Sequence, residues 1–209
     1  AFAEDPQTIR VACPQDGTFL RLAADGTASG YAAEYLAEIA KYTGWSYTFS
    51  TGTTAECLAQ LREGRADLVL PVEAADAVDP AFTCSEADCC VDYIALTTGR
   101  DNEHYFFEDY ANFDGIRVGM LQNDRHAGHF AQYAAQKGFA YTAVTFADRE
   151  ALSAALDAGS VDAVLLDSFN VGAGRKLLAE FDYVPAYFVL SAADSERLAA
   201  LHAALYRIR

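Results

Sequence analysis

The sequence predicts an α/β fold of two lobes, each a β-α-β-α-β unit joined to its partner by a hinge. Three observations point there. A phrase recurs in the two halves of the 209 residues: Leu61-Arg-Glu-Gly64-Arg-Ala-Asp67-Leu-Val69-Leu70 and Leu156-Asp-Ala-Gly159-Ser-Val-Asp162-Ala-Val164-Leu165. Short aliphatic runs alternate with stretches whose apolar residues recur at helical spacing, the pattern of right-handed crossovers onto a parallel sheet. One further strand and helix then follow the second copy. In each copy a helix ends, a glycine takes the left-handed position beyond it, an acid follows, and a strand buried on both faces begins.

The elements follow in order. Ile9-Arg-Val-Ala-Cys13 and Ile116-Arg-Val-Gly-Met120 open the two units as strands. Tyr31 to Thr43 carries Ala32, Tyr35, Leu36, Ile39 and Ala40 on one helical face; Gly44 ends it and Trp45 to Phe49 is the next strand. The matching pieces are His126 to Lys137, Gly138 and Ala140 to Phe146. Between the first strand and helix, Pro14 to Gly30 is inserted, and its Ala24-Asp-Gly26-Thr27 is a hairpin tip. Thr53-Thr-Ala-Glu56 fits a capping box, and Asp148 caps a helix over Arg149 to Leu156. Asp92 to Thr98 leads out of the first unit, Tyr183 to Leu190 returns, and Ser191 to Ile208 is a terminal helix with Leu198, Leu201, Leu205 and Ile208 on one stripe. Lobe 1 is thus expected over 1–98 and 186–209 and lobe 2 over 99–185, with hinge passages near 98–104 and 183–187.

Composition narrows the partners. With 52% hydrophobic residues, 12 Tyr and 13 Phe, the chain holds enough apolar material for a folded core. Its 15 Lys and Arg against 30 Asp and Glu give a net charge of −15, which repels phosphates, so nucleic acid and anionic membrane surfaces are disfavoured as partners and a cationic or zwitterionic small molecule is favoured. No run of about 18 apolar residues is present, so this segment is not expected to insert into a membrane. Ala1-Phe2-Ala3 has the small-x-small form left by a secretory signal, or equally by a cloning scar. Of the five cysteines, Cys13, Cys57, Cys84, Cys89 and Cys90, three share one short segment; Cys84 bridging to Cys89 or Cys90 is weighed against zinc ligation, for which Cys-x4-Cys-Cys lacks the usual paired spacing.

The run Gly30-Tyr-Ala-Ala-Glu-Tyr-Leu-Ala-Glu-Ile-Ala-Lys-Tyr-Thr-Gly-Trp45-Ser-Tyr-Thr-Phe49, followed by Glu56-Cys-Leu-Ala-Gln-Leu-Arg-Glu-Gly64-Arg-Ala-Asp67, resembles the bacterial extracellular solute-binding family 3 over nearly the whole chain. The resemblance implies the periplasmic-binding-protein type II, or Venus-flytrap, fold. The Tyr-Thr-Gly-Trp and Glu-Cys-Leu phrasing is most similar to the branch that serves as extracytoplasmic sensor of membrane histidine kinases and diguanylate cyclases.

Strand C-terminal ends and adjoining helix N-termini are where open α/β sheets take ligands. Pro14 to Phe19, Pro71 to Ala74, Gln122 to Arg125, and Asp167 with Ser168 therefore line the expected crevice. The candidate ligand-binding residues are Gln15, Asp16, Phe19, Tyr31, Val72, Glu73, Asn123, Asp124, Asp167 and Ser168. Asp167 matches the family's acid for a ligand amino group, against the alternative of a helix N-cap. Phe19 and Tyr31 are aromatic walls or lobe-core aromatics. Asn123 and Asp124 fall where the family often has Gly-Thr, and Asp124 reads as a helix cap. The Thr-x-x-Arg with which relatives grip an α-carboxylate is missing from Pro71-Val-Glu-Ala-Ala-Asp-Ala-Val-Asp79-Pro80, whose Glu73, Asp76 and Asp79 make that rim acidic.

His126 and His129 stand three apart, a spacing that could share a metal, but two histidines on a polar helix face are ordinarily solvated, and neither a metal nor another cofactor is expected. Ser168 and Cys13 fall near the crevice without a nucleophile motif, so catalysis is not expected either. The resemblance implies an extracytoplasmic, membrane-tethered sensor domain that closes on an amino-acid-like or cationic ligand and signals to a downstream membrane module, and the helical end Tyr206-Arg-Ile-Arg209 fits a place just ahead of a membrane segment. The alternatives are a solute-binding protein serving an ABC permease for amino acids or polyamines and, less favoured, a small-molecule lyase on the same scaffold.

Overall fold

A computed structural model describes residues 7–14, 19–124, 126–172 and 174–208. Two compact units emerge, Ala1–Val91 with Val184–Arg209, and Asp92–Tyr183.

In the first unit the strands are β1 (Thr8–Pro14), the two-residue β2 (Arg21–Leu22) and β3 (Ala28–Ser29), β4 (Ser46–Gly52), β5 (Leu68–Glu73) and the start of β6 (Phe82–Gly99). The hairpin at Ala24 to Thr27 forms as its Asp-Gly requires: Gly26 takes φ 84° and Asp25 Oδ1 accepts from Thr27 N at 2.9 Å. Its helices are α1 (Tyr31–Thr43), closed by left-handed Gly44, and α2 (Thr54–Arg62). The expected capping box is present, with Glu56 N donating to Thr53 Oγ1 at 3.1 Å and Thr53 N to Glu56 Oε2 at 2.8 Å.

The second unit contains the rest of β6, β7 (Ile116–Leu121), α3 (Ala127–Lys137), β8 (Tyr141–Phe146), α4 (Arg149–Asp157), β9 (Ala163–Asp167) and most of β10 (Arg175–Ser191). Asp148 Oδ1 caps α4 through Ala151 N at 2.8 Å. From Val184 the chain belongs to the first unit again and ends in α5 (Ser195–Ile208). That helix starts four residues after the expected Ser191, because β10 continues to Ser191 and Asp194 accepts from Arg197 N at 3.3 Å. The strands leading out and back are also longer than expected, β6 beginning at Phe82 and β10 at Arg175.

Each unit has the same local plan. In the first, β1 lies parallel between β4 and β5, and β10 joins β5 antiparallel through Ala186 opposite Glu73 and Tyr187 opposite Val72. In the second, β7 lies parallel between β8 and β9, and β6 joins β9 antiparallel through Ile94 opposite Asp167.

Strand alternation explains how both faces of the second unit's sheet are covered. Ile116, Val118, Met120, Ala163 and Leu165 bury with Phe130, Tyr133 and Ala134 of α3, whereas Val164 buries with Leu152, Ala155 and Leu156 of α4. Gly119 is needed between them: a Cβ there would stand 2.7 Å from Leu152 Cδ1 and 3.3 Å from both Phe146 Cε2 and Val161 Cγ2. Gly119→Ala is therefore expected to destabilise the protein by about 1–3 kcal/mol, the ordinary cost of overpacking a close-packed core. Urea unfolding checks this, and an unchanged midpoint would refute it.

The repeated acids have a matched structural duty. Asp67, just before β5, accepts from Arg10 N, Nε and Nη2, each at 2.9 Å. Asp162, just before β9, accepts from Arg117 N at 2.8 Å, Nε at 3.0 Å and Nη2 at 2.7 Å. The return bonds match as well, Asp67 N to Arg10 O at 2.8 Å and Asp162 N to Arg117 O at 2.9 Å. A bidentate fork plus a backbone donor thus clamps the N-terminal ends of two neighbouring parallel strands in each unit.

Candidate functional site

The C-terminal ends of the parallel strands carry the polar chemistry. In the second unit, Asp167 is the last residue of β9, and Ser168–Asn170 forms a single 3-10 turn after it. Asp167 stands at the N-cap position of that turn, yet its side chain makes no cap bond; it accepts instead from Asn170 Nδ2. Beside it lies Asp92, 7% exposed, whose Oδ1 accepts from Ser168 Oγ at 2.7 Å, Ser168 N at 3.2 Å and Tyr93 N at 2.8 Å. Burial first, and then the negative charge of Asp92, push the Asp167 carboxyl above the ordinary carboxylate value; Asn170, Arg149 and His126 act in the opposite direction. The Arg149 guanidinium approaches Asp167 to 4.0 Å but is also bonded to Asn170 Oδ1. Among the described residues the charge of Asp167 is undercompensated at this strand end, and an ammonium group placed there would relieve it.

Asp92 did not stand out in the sequence, where it reads as the first residue of a strand. The signal missed is that an acid in an outgoing strand becomes buried once that strand pairs with β9. Asn123 and Asp124 sit at the other strand end, after β7. Asn123 is left-handed, φ 57°, and Asp124 Oδ1 accepts from His126 N at 2.9 Å while Asp124 O accepts from Ala127 N at 3.1 Å. Asp124 thus closes a turn ahead of α3 and does not cap the helix as expected: α3 starts at Ala127, its N-cap position is His126, and no side chain makes a cap bond there. His129 pairs through Nδ1 with Asp182 rather than sharing a ligand with His126. Among the described residues no group of three metal-ligating side chains converges.

In the first unit, Tyr31 opens α1 half exposed, and its hydroxyl donates to Cys89 O at 3.0 Å. Phe19 is buried against it at 5.6 Å between ring centroids, and the row continues through Tyr35 at 5.8 Å to Phe188 at 5.6 Å. Tyr31 therefore has a face toward solvent, whereas Phe19 serves as its packed backing, the core alternative for that residue. Val72 is buried in the cluster of Ala12, Cys57, Leu58 and Val189, so only its backbone could face a ligand. Glu73 ends β5, and its carbonyl accepts from Asp76 N at 2.9 Å. Asp79, expected on an acidic rim, instead accepts from Ala81 N at 2.8 Å and pairs with Arg62, and these, the backbone bond first, hold its carboxyl below the usual range. Gln15 and Asp16 lie outside the described residues.

No protein-family model and no curated protein matches the chain. Solved structures do. The second substrate-binding domain assigned to an amino acid ABC transporter of Streptococcus pneumoniae aligns with a TM-score of 0.72 at 18% identity, over 95% of this chain and 92% of that one. An ancestral arginine-binding protein bound to arginine aligns with a TM-score of 0.65 at 20% identity, over 96% and 92%. The periplasmic VFT2 domain of Bordetella pertussis BvgS aligns with a TM-score of 0.67 at 22% identity, over 97% and 88%. The chain thus has the two-lobed periplasmic-binding-protein type II fold.

Proposed function

We propose that this chain is an extracytoplasmic small-molecule-binding sensor domain of a membrane-tethered signalling protein, and that it recognises an amino-acid-like or cationic ligand without turning it over. The observation that carries the ligand class is the undercompensated Asp167 beside buried Asp92. The absence of any Arg from the 71–80 segment, where relatives hold an α-carboxylate, agrees with it. A structural neighbour bound to arginine supports a cationic ligand on this fold. Ser168 donates its hydroxyl to Asp92, an orienting bond for a carboxylate rather than an activated nucleophile, so binding rather than lyase chemistry is favoured.

A thermal-shift screen tests the ligand class. Arginine, lysine and linear polyamines should raise the melting temperature, since a ligand that binds only the folded state stabilises it by mass action; a rise with glutamate or aspartate alone would reject the reading. The second reading, a solute-binding protein delivering to an ABC permease, is favoured by the likeness to a transporter's substrate-binding domain. The full-length gene separates the two: a membrane helix and cytoplasmic output module after residue 209 supports the sensor, and a stop codon there supports the importer.

A further inference from the structure

No disulfide joins any of the five cysteines, and two of them are consecutive in β6. Neighbouring side chains on a regular strand point to opposite faces, which keeps their tips well apart. Cys89 and Cys90 depart from this, with sulfurs 3.7 Å apart. The pair is asymmetric: Cys89 is 3% exposed and its Sγ donates to Ala186 O at 3.3 Å, whereas Cys90 is only partly buried. Cys84, the bridging partner considered from sequence, packs instead against the cluster of Leu58, Leu61 and Phe82.

We propose that Cys89 and Cys90 form a redox-modifiable vicinal pair that closes to a disulfide and thereby releases Tyr31. The step is a thiol–disulfide exchange with a small-molecule disulfide. The Cys90 thiolate attacks one sulfur of the oxidant and expels the first thiolate. Cys89, after losing its proton, then attacks Cys90 Sγ and expels the second, so two protein thiols are oxidised and one disulfide is reduced to two thiols. Burial and the adjacent Cys90 sulfur hold the Cys89 thiol protonated, consistent with its acting second.

Closure brings the sulfurs from 3.7 Å to the covalent distance of about 2.05 Å. The eight-membered ring so formed cannot retain the extended geometry of the Cys89–Cys90 segment. That segment carries the carbonyl to which the Tyr31 hydroxyl donates, and the thiol that donates to Ala186 O. Both bonds lie within the first unit.

The test uses the full chain exposed to glutathione disulfide, alkylated, digested and mapped. Cys89 and Cys90 should be protected together within one peptide, lost glutathione and all, and dithiothreitol should restore both. Phenylarsine oxide, which bridges close thiols, should add once to the reduced protein and not to Cys90→Ser. Tyr31→Phe should lower the melting temperature of the reduced protein by about 2 °C and leave that of the oxidised protein unchanged. Protection of Cys84 with either neighbour, a persistent glutathione adduct, or an equal effect of Tyr31→Phe in both redox states would overturn the proposal.

Discussion

Asp167→Asn is expected to raise the melting temperature of the ligand-free protein while abolishing most of the shift produced by a cationic ligand. The two effects have one cause. Burial and Asp92 raise the Asp167 carboxyl above its unfolded value, so between those two values the folded state holds a proton that the unfolded state has released. Stability linked to this group is therefore greatest in acid and falls as pH rises through that window, and above the folded value the charged form carries the full penalty. Asn keeps an oxygen for Asn170 Nδ2 and removes the charge, so the ligand-free protein gains on the order of 2 °C. The same substitution removes the carboxylate that would receive an ammonium, costing about 2 kcal/mol, or roughly 30-fold in affinity. Ligand affinity should also fall as acid protonates Asp167. Differential scanning fluorimetry and isothermal titration calorimetry across pH decide the matter: a variant that binds the cation unchanged removes Asp167 from the site, and one that melts lower contradicts the assigned electrostatics.

Asp67→Asn is expected to have the largest effect on stability, about 2–3 kcal/mol, because it leaves Arg10 without its fork and weakens charge-assisted bonds at a 9% exposed position. Arg197 also loses a partner at 3.3 Å. Arg10 is half exposed, so water offsets part of the loss and keeps it below that of a fully buried pair. Asp162→Asn should act in the same direction and less strongly, since Asp162 is more exposed. The pH dependence runs opposite to that of Asp167. Arg10 and Arg117 hold Asp67 and Asp162 below the ordinary carboxylate value, so their contribution is complete above that value and is lost as pH falls through the native one. Chemical denaturation at pH 7 and near pH 3 should show the wild type approaching the variants in acid; a wild-type advantage that persists undiminished would refute the ion-pair account.

The strand and helix pattern was legible because it rests on local physics. Gly44, Gly64, Gly138 and Gly159 all adopt the left-handed conformation expected of helix-ending glycines, and the capping residues Thr53 and Asp148 are where the sequence put them. The crossing strands were less legible: β6 and β10 run 18 and 17 residues, through polar stretches such as Ser85 to Asp88 that carry no strand alternation of their own. The pairings with β9 and β5 cover only Ile94–Thr97 and Ala186–Val189, so the added lengths depend on sheet neighbours distant in sequence, β10 beside β6, and that is long-range information. The same limit applied at the site. Asp167 could be found from its place after an aliphatic run, but the burial of Asp92 beside it and the capture of Asp79 by Arg62 arise from chain segments far apart in sequence. Likewise Asp67 and Asp162 were visible as repeated residues, while their arginine partners became evident only when adjacent strands paired.

The arginine forks also bear on how such a domain changes over generations. In each unit the fork secures the beginnings of the parallel strands, and the residues proposed to meet a ligand stand at their finishes or at the start of a helix. Substitutions at the finishes leave the forks untouched, so a lineage can exchange Asp167 or Tyr31 for other chemistries without loosening them, whereas Asn123 is held to residues that tolerate its left-handed backbone. Selection for a new ligand and selection for a persistent scaffold then act on separate sets of codons, which makes drift in specificity easy and drift in architecture rare.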